Sequence, residues 1–192
     1  MKKILTILLI SLPLISFLSC GTTKEAGKMA GSITYKQDDK PGKKNEVVNE
    51  EYLRSTKALT EESVTVEEFE NDKAEILKII NELKVIMDNG DKTKWLTYID
   101  PDSINYYSNH TNLRKVREKL PNKQIQLHGI GDYFKYVFIP SRKNSNIDEI
   151  RYISKSNIRA VQIREDKSEL VYYNFVKKDN KWYVHIPTLS EQ

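Results

Sequence analysis

The 192-residue chain is expected to carry one α+β domain over residues 65–192, with N-terminal helices packed on a curved antiparallel sheet. Three observations predict it. Apolar residues recur at helical spacing from Phe69 to Leu120, and after Pro121 the spacing changes to alternation. The last two candidate strands are then joined by a polar loop of hairpin length. Helices first and strands afterwards argue for segregated layers rather than βαβ units.

The first helix starts at Thr65, whose hydroxyl suits the amide three residues on while Glu68 reaches back, a capping box. Phe69, Ile76, Ile79, Ile80, Leu83, Ile86 and Met87 then mark one apolar face. Asn89-Gly90 supplies a left-handed stop. Asp91 caps a short helix with Trp95, Leu96, Tyr98 and Ile99, and Asp100-Pro101 places an N-cap and a first-turn proline before another. A further helix over 111–120 turns Leu113, Val116 and Leu120 inward and Arg114, Lys115, Arg117 and Lys119 outward. Strands are expected at 124–127, 133–139, 149–153, 158–164, 170–176 and 182–186, the last pair joined by Lys177-Lys178-Asp179-Asn180-Lys181. Because 133–139 and 170–176 read as apolar or aromatic on both faces, both sides of the sheet are expected to be covered. Helices cover one side; on the other, either a second copy or a protein partner covers the aromatics, or the tyrosines are tolerated at the surface.

Residues 1–19 resemble a lipoprotein signal peptide: Lys2-Lys3, an apolar run from Ile4 to Leu18, and Phe17-Leu18-Ser19-Cys20 as lipobox. Phe17 stands where leucine is usual, and looser boxes of this kind are similar to those of spirochaetes. The excess of Lys over Arg, 24 to 7, with abundant Ile and Asn, resembles proteins of AT-rich genomes such as those of Borrelia. The resemblance implies acylation, palmitate included, of Cys20 and a mature chain that begins there. Gly21 lacks the Asp that retains many lipoproteins at the inner membrane, which implies the outer membrane; the leaflet stays open. Since Cys20 is the only cysteine, its acylation leaves no thiol for disulfides, catalysis or metal binding.

Residues 20–64 are read as a lipidated flexible tether. From Gly21 to Ser63 the large aliphatics are scattered (Ile33, Val47, Val48, Leu53, Leu59), and eight Lys and Arg balance eight Asp and Glu. The formal charge of +4 falls to about +2 once Lys2 and Lys3 are removed, too small for a nucleic-acid partner.

The long amphipathic helix, the Trp95-Leu96-Thr97-Tyr98-Ile99-Asp100 segment, and the run Val171-Tyr172-Tyr173-Asn174-Phe175-Val176 through Lys181-Trp182-Tyr183-Val184 resemble the NTF2-like (SnoaL/ketosteroid-isomerase-like) cone. This implies an aromatic-lined pocket between sheet and helices, with Trp95, Tyr98, Phe175 and Trp182 in it or in the core beneath. In enzyme members an Asp, His or Tyr moves a proton, so Tyr98, Asp100, His128, Asp132 and His185 are the catalytic candidates.

Each of those residues has a structural alternative. Asp100 suits an N-cap, Asp132 a turn after Gly129-Ile130-Gly131, and His185 a polar position on a strand. His110, His128 and His185 lack metal-ligand spacing, and no phosphate loop or nucleophile elbow is present. Neither a cofactor nor a metal is expected. The reading is a membrane-anchored, non-catalytic binding module. Its alternatives are a surface adhesin that binds a host protein or glycan through the basic helix (Arg114, Lys115, Arg117 and Lys119, the candidate anionic contact) or the exposed sheet face, or a small isomerase, dehydratase or hydrolase of the ketosteroid-isomerase type.

Overall fold

The computed structural model describes residues Glu50–Glu191; Cys20 and residues 20–49 of the expected tether lie outside them. Helices α1 (Glu50–Thr56), α2 (Val66–Asn89), α3 (Lys92–Leu96), α4 (Pro101–Ser108) and α5 (His110–Lys119) come first. A helical rod follows, made of α6 (Ile130–Tyr133), a π-helical stretch (Phe134–Phe138) and α7 (Ile139–Arg142). Strands β1 (Glu149–Ser154), β2 (Asn157–Ile163), β3 (Glu169–Lys178) and β4 (Lys181–His185) close the chain as an antiparallel meander in the order β1-β2-β3-β4. The fold is α+β, as expected.

Local chemistry accounts for the helix ends. Thr65 Oγ1 accepts from the Glu68 amide and Glu68 from the Thr65 amide, while Gly90 ends α2 at φ 64°. Nothing lies within 4 Å of a Cβ built there, so glycine is needed for conformation and not for space. Asp91, Asp100 and Asn109 cap α3, α4 and α5 with their side chains.

The buried face of α2, from Phe69 through Ile76, Ile80 and Leu83, packs with Ile150, Tyr152, Ile158, Tyr173, Phe175, Trp182 and Val184 of the sheet in one core. The sheet bends where pairing slips: Ala160 faces Tyr173 but Val161 faces Val171, so Tyr172 is an extra residue on β3. Asp179 and Asn180, both at positive φ, make the two-residue turn between β3 and β4, tighter than the five-residue loop expected. Each sheet edge is met at one point by a flanking segment. Tyr98 and Asp100 exchange backbone hydrogen bonds with Val184 of β4, and the Ser55 hydroxyl donates to Ile150 O of β1 at 2.6 Å.

Three expectations are corrected. Residues 133–139 are helical: Tyr133, Phe134 and Phe138 are buried on one face while Lys135 and Tyr136 are exposed, a helical pattern hidden by strand-favouring aromatics. The π turn follows from Pro140, which has no N–H for the Tyr136 carbonyl; the Ile139 amide bonds five residues back to Phe134 O. Residues 124–127 form no strand, because Ile125 and Leu127 reach the core from irregular chain with no neighbouring strand. Finally, residues 50–64 are structured and do not extend the tether. Arg54 clamps Glu149 of β1 with Nη2 at 2.7 Å and Nε at 3.2 Å, Tyr52 donates to Val64 O at 2.7 Å, and Tyr52 and Leu59 pack on the core.

Candidate functional site

The space between helices and sheet is occupied by side chains. Trp95 and Trp182 have no solvent exposure and Phe175 has 1%. Trp95 stacks on Phe134 at 4.7 Å between ring centroids and meets Phe138 edge-on at 5.0 Å. These three are core residues. Tyr98, the fourth pocket candidate, is partly exposed, and its hydroxyl donates to Glu82 on α2. That carboxylate, and burial after it, raises the Tyr98 phenol above its ordinary pKa.

Two buried carboxylates organise the polar interior. Asp72, on α2, accepts from Trp182 Nε1 at 3.0 Å and Lys177 Nζ at 2.9 Å through Oδ1, and from the Tyr152 hydroxyl at 2.8 Å through Oδ2. Burial, then the bond to Asp72, raises the Tyr152 phenol far above its usual value. The carboxylate sits at the base of a 340 Å³ groove between the start of α2 and two hairpin turns, where Lys155 and Asn180 form the rim. Sequence reasoning missed Asp72. The available signal was an acid on the apolar face of α2, between Phe69 and Ile76.

Asp100 and His185, both catalytic candidates, do come together, with Ser103 between them. His185 Nδ1 lies 3.2 Å from Asp100 Oδ2 and 3.4 Å from Ser103 Oγ. Ser103 Oγ donates to Asp100 and accepts the Ile186 amide at 2.8 Å, while Lys178 approaches Asp100 at 3.4 Å and Asp102 at 2.6 Å. Burial alone would raise the Asp100 carboxyl, but hydrogen bonds from His185 and Ser103 hold it far below the usual range; the same bond to Asp100 raises His185.

A nucleophilic triad puts its hydroxyl and carboxylate on opposite imidazole nitrogens. Here both face Nδ1, and Nε2 faces Glu191 at 3.6 Å. Ser103 is 1% exposed. The cluster therefore ties α4 to β4 and to the C-terminal segment, with no nucleophile open to a substrate.

The other candidates stand apart. His128 and His110 are exposed, and Asp132 accepts the His128 amide at 2.8 Å in the turn before α6. Among the described residues no group of three or more His, Cys, Asp or Glu could hold a metal. On α5, Arg114, Lys115 and Lys119 are exposed and Arg117 donates to Gln126 at 2.7 Å.

The sheet face turned away from α2 is more open. A groove of about 410 Å³ runs between α1 and β1–β3, with Ile153 46% exposed and Val171 39% exposed on its floor and Arg54, Lys57, Arg151 and Arg159 around it. Arg54 and Arg151 are neutralised by Glu149 and Glu169. Partly exposed Tyr172, Val176 and Tyr183 continue the apolar surface toward β4.

The chain is similar to an uncharacterized lipoprotein of Treponema pallidum (strain Nichols), with 32% identity over 109 residues. That stretch is 57% of this chain and 58% of the relative, so the chain matches less than two thirds of that protein. No protein-family model and no solved structure matches. Among the described residues no helix is long and apolar enough to cross a membrane.

Proposed function

We propose that this chain is a lipid-anchored protein of the bacterial cell envelope, held through acylated Cys20 in the outer membrane. Its domain acts as a non-catalytic interaction module that engages a protein partner or a second copy through the outer sheet face. The observation that carries this reading is the contrast between the two sides of the sheet. The inner side is filled by residues with almost no exposure, while the outer side presents Ile153 and Val171 in an open groove. Exposed apolar surface of this kind, rimmed by charge, suits association.

The long helix laid over a bent antiparallel sheet supports an NTF2-like cone, and similarity to a spirochaete lipoprotein supports the anchor. The saturated Asp100–Ser103–His185 cluster supports a module without catalysis.

Val171→Asp, in the full-length protein in detergent, tests the interface. Sedimentation and in-cell cross-linking from position 153 should show a complex in the parent and its loss in the variant. If the parent is monomeric and cross-links to nothing, the sheet face is not an interface. Radiolabelled palmitate should enter the protein but not Cys20→Ala, and absence of label from both removes the anchor. Shaving of intact cells with protease reads the leaflet.

A further inference from the structure

Arg142, the last residue of α7, is a half-buried cation with no ion pair among the described residues. Its guanidinium carbon lies 4.2 Å from the ring centroid of Phe138 and 5.5 Å from that of Tyr173. Nη1 donates to Ser141 Oγ at 2.7 Å. Nε is shielded from solvent and donates to nothing, and Arg142 forms no ion pair among the described residues.

Two hydroxyls beside it are in the same condition. The Tyr173 hydroxyl, on a residue with no exposure, has no hydrogen-bond partner, and neither has Ser145 Oγ, on a residue 7% exposed. The two stand next to each other, and the Ser145 hydroxyl lowers the Tyr173 phenol that burial raises. The domain's other buried charges are treated differently: Asp72 has Lys177, and Asp100 has His185 and Lys178.

A guanidinium with a shielded, unbonded Nε and two shielded hydroxyls without a standard hydrogen bond are each unfavourable, and an anion seated at the guanidinium would give them partners. With Nη1 engaged, the free edge of Arg142 is Nε–Nη2, whose parallel N–H groups match the two oxygens of a carboxylate side-on. The hydroxyls then donate to the outer lone pairs, and the Phe138 and Tyr173 rings flank the flat head. Access is from the rim, where Ser141 is exposed and Arg142 is itself only partly covered.

We propose that Arg142, Tyr173 and Ser145 form a binding site for a small oxyanion, in the first place the carboxylate head of an organic acid. This is independent of the outer sheet face, since the two sites lie on opposite sides of the sheet. Burial also lowers the Arg142 pKa from its ordinary value, the direction that a bound anion reverses.

The test is thermal unfolding of the full-length protein in detergent at pH 7, titrated with sodium hexanoate, sodium phosphate, or sodium chloride at matched ionic strength. The expected result is a saturable rise in midpoint with hexanoate that chloride does not give, absent in Arg142→Met and half-saturating at about tenfold higher concentration in Tyr173→Phe, the loss of one charge-assisted bond. A rise with phosphate alone keeps the oxyanion site and assigns it a phosphate head. Without added anion, Arg142→Met should melt no lower than the parent, because it removes an uncompensated charge. The proposal fails if chloride reproduces the rise, if Arg142→Met still responds, or if that variant melts well below the parent without anion. Should Arg142→Met not fold, the parent's response and the weakening in Tyr173→Phe decide the matter.

Discussion

Replacing Asp72 by leucine isolates the strut between α2 and the sheet. Leucine removes both carboxylate oxygens and leaves Trp182 Nε1 and the Tyr152 hydroxyl without acceptors, in residues that have no solvent exposure. Each orphaned buried donor costs about 1–3 kcal/mol, which gives about 2–6 kcal/mol with a working value near 4. Lys177, about a third exposed, turns to water and adds little. At roughly 2–4 °C per kcal/mol for a domain of this size, the midpoint should fall by about 10 °C. Asp72→Asn keeps an acceptor for the indole and an amide for the phenol, so about 1–2 kcal/mol is expected. Guanidinium titration followed by tryptophan fluorescence measures both, and Trp182 is itself a reporter. The reasoning is refuted if the leucine variant lies within 1 kcal/mol of the parent, roughly one net hydrogen bond. It is refuted equally if asparagine costs as much as leucine, since charge and not hydrogen bonding would then be the support.

Three further outcomes are expected. His185 has a raised pKa in the folded state, so its contribution is complete below its unfolded value near 6.5 and is lost as pH climbs through the folded one. The melting midpoint should therefore decline from pH 6 to pH 9 and flatten in His185→Gln; parallel profiles would exclude the Asp100 pair. The depressed Asp100 carboxyl acts in the opposite direction, stabilising above about pH 4 and failing as pH falls further, so Asp100→Asn should blunt acid unfolding followed by circular dichroism. Gly90→Ala should cost about 1 kcal/mol from its left-handed φ alone, because no atom obstructs the new Cβ, and a loss above about 3 kcal/mol in denaturant titration would show a steric role instead.

What was legible in the sequence was local. The caps at Thr65, Asp91 and Asp100 and the stop at Gly90 each depend on a few adjacent residues, and each stands where expected. The four paired strands were legible too, because their short apolar and aromatic runs between polar turns need no distant information. The rod at 130–142 was not, since its aromatics favour strands and Pro140 favours breaking a helix. The deciding evidence is that 133, 134, 137 and 138 fall on one helical face while 135 and 136 do not, a spacing outweighed by residue type. Residues 50–64 were misjudged for a related reason. Their ordering comes from Glu149 and Ile150, almost a hundred residues away, so local composition carries no trace of it.

The polar groups follow the same division, with a consequence for function. Asp100 was legible as a cap, but its partner His185 and the shared Ser103 meet it only when β4 passes the start of α4, and that meeting joins two candidates for chemistry, with Ser103, in one saturated tie. Asp72 meets its three donors, from β1, β3 and β4, only when α2 packs on the assembled sheet. In both clusters folding supplies every buried charge with a partner, which is why neither calls for a ligand. Arg142 is held by the same core, against Phe138 and Tyr173, and folding brings it only orphaned hydroxyls. Among the described residues two buried carboxylates are neutralised from distant strands, while the half-buried Arg142 guanidinium has no ion pair. A ligand for this domain is therefore best sought first among anions.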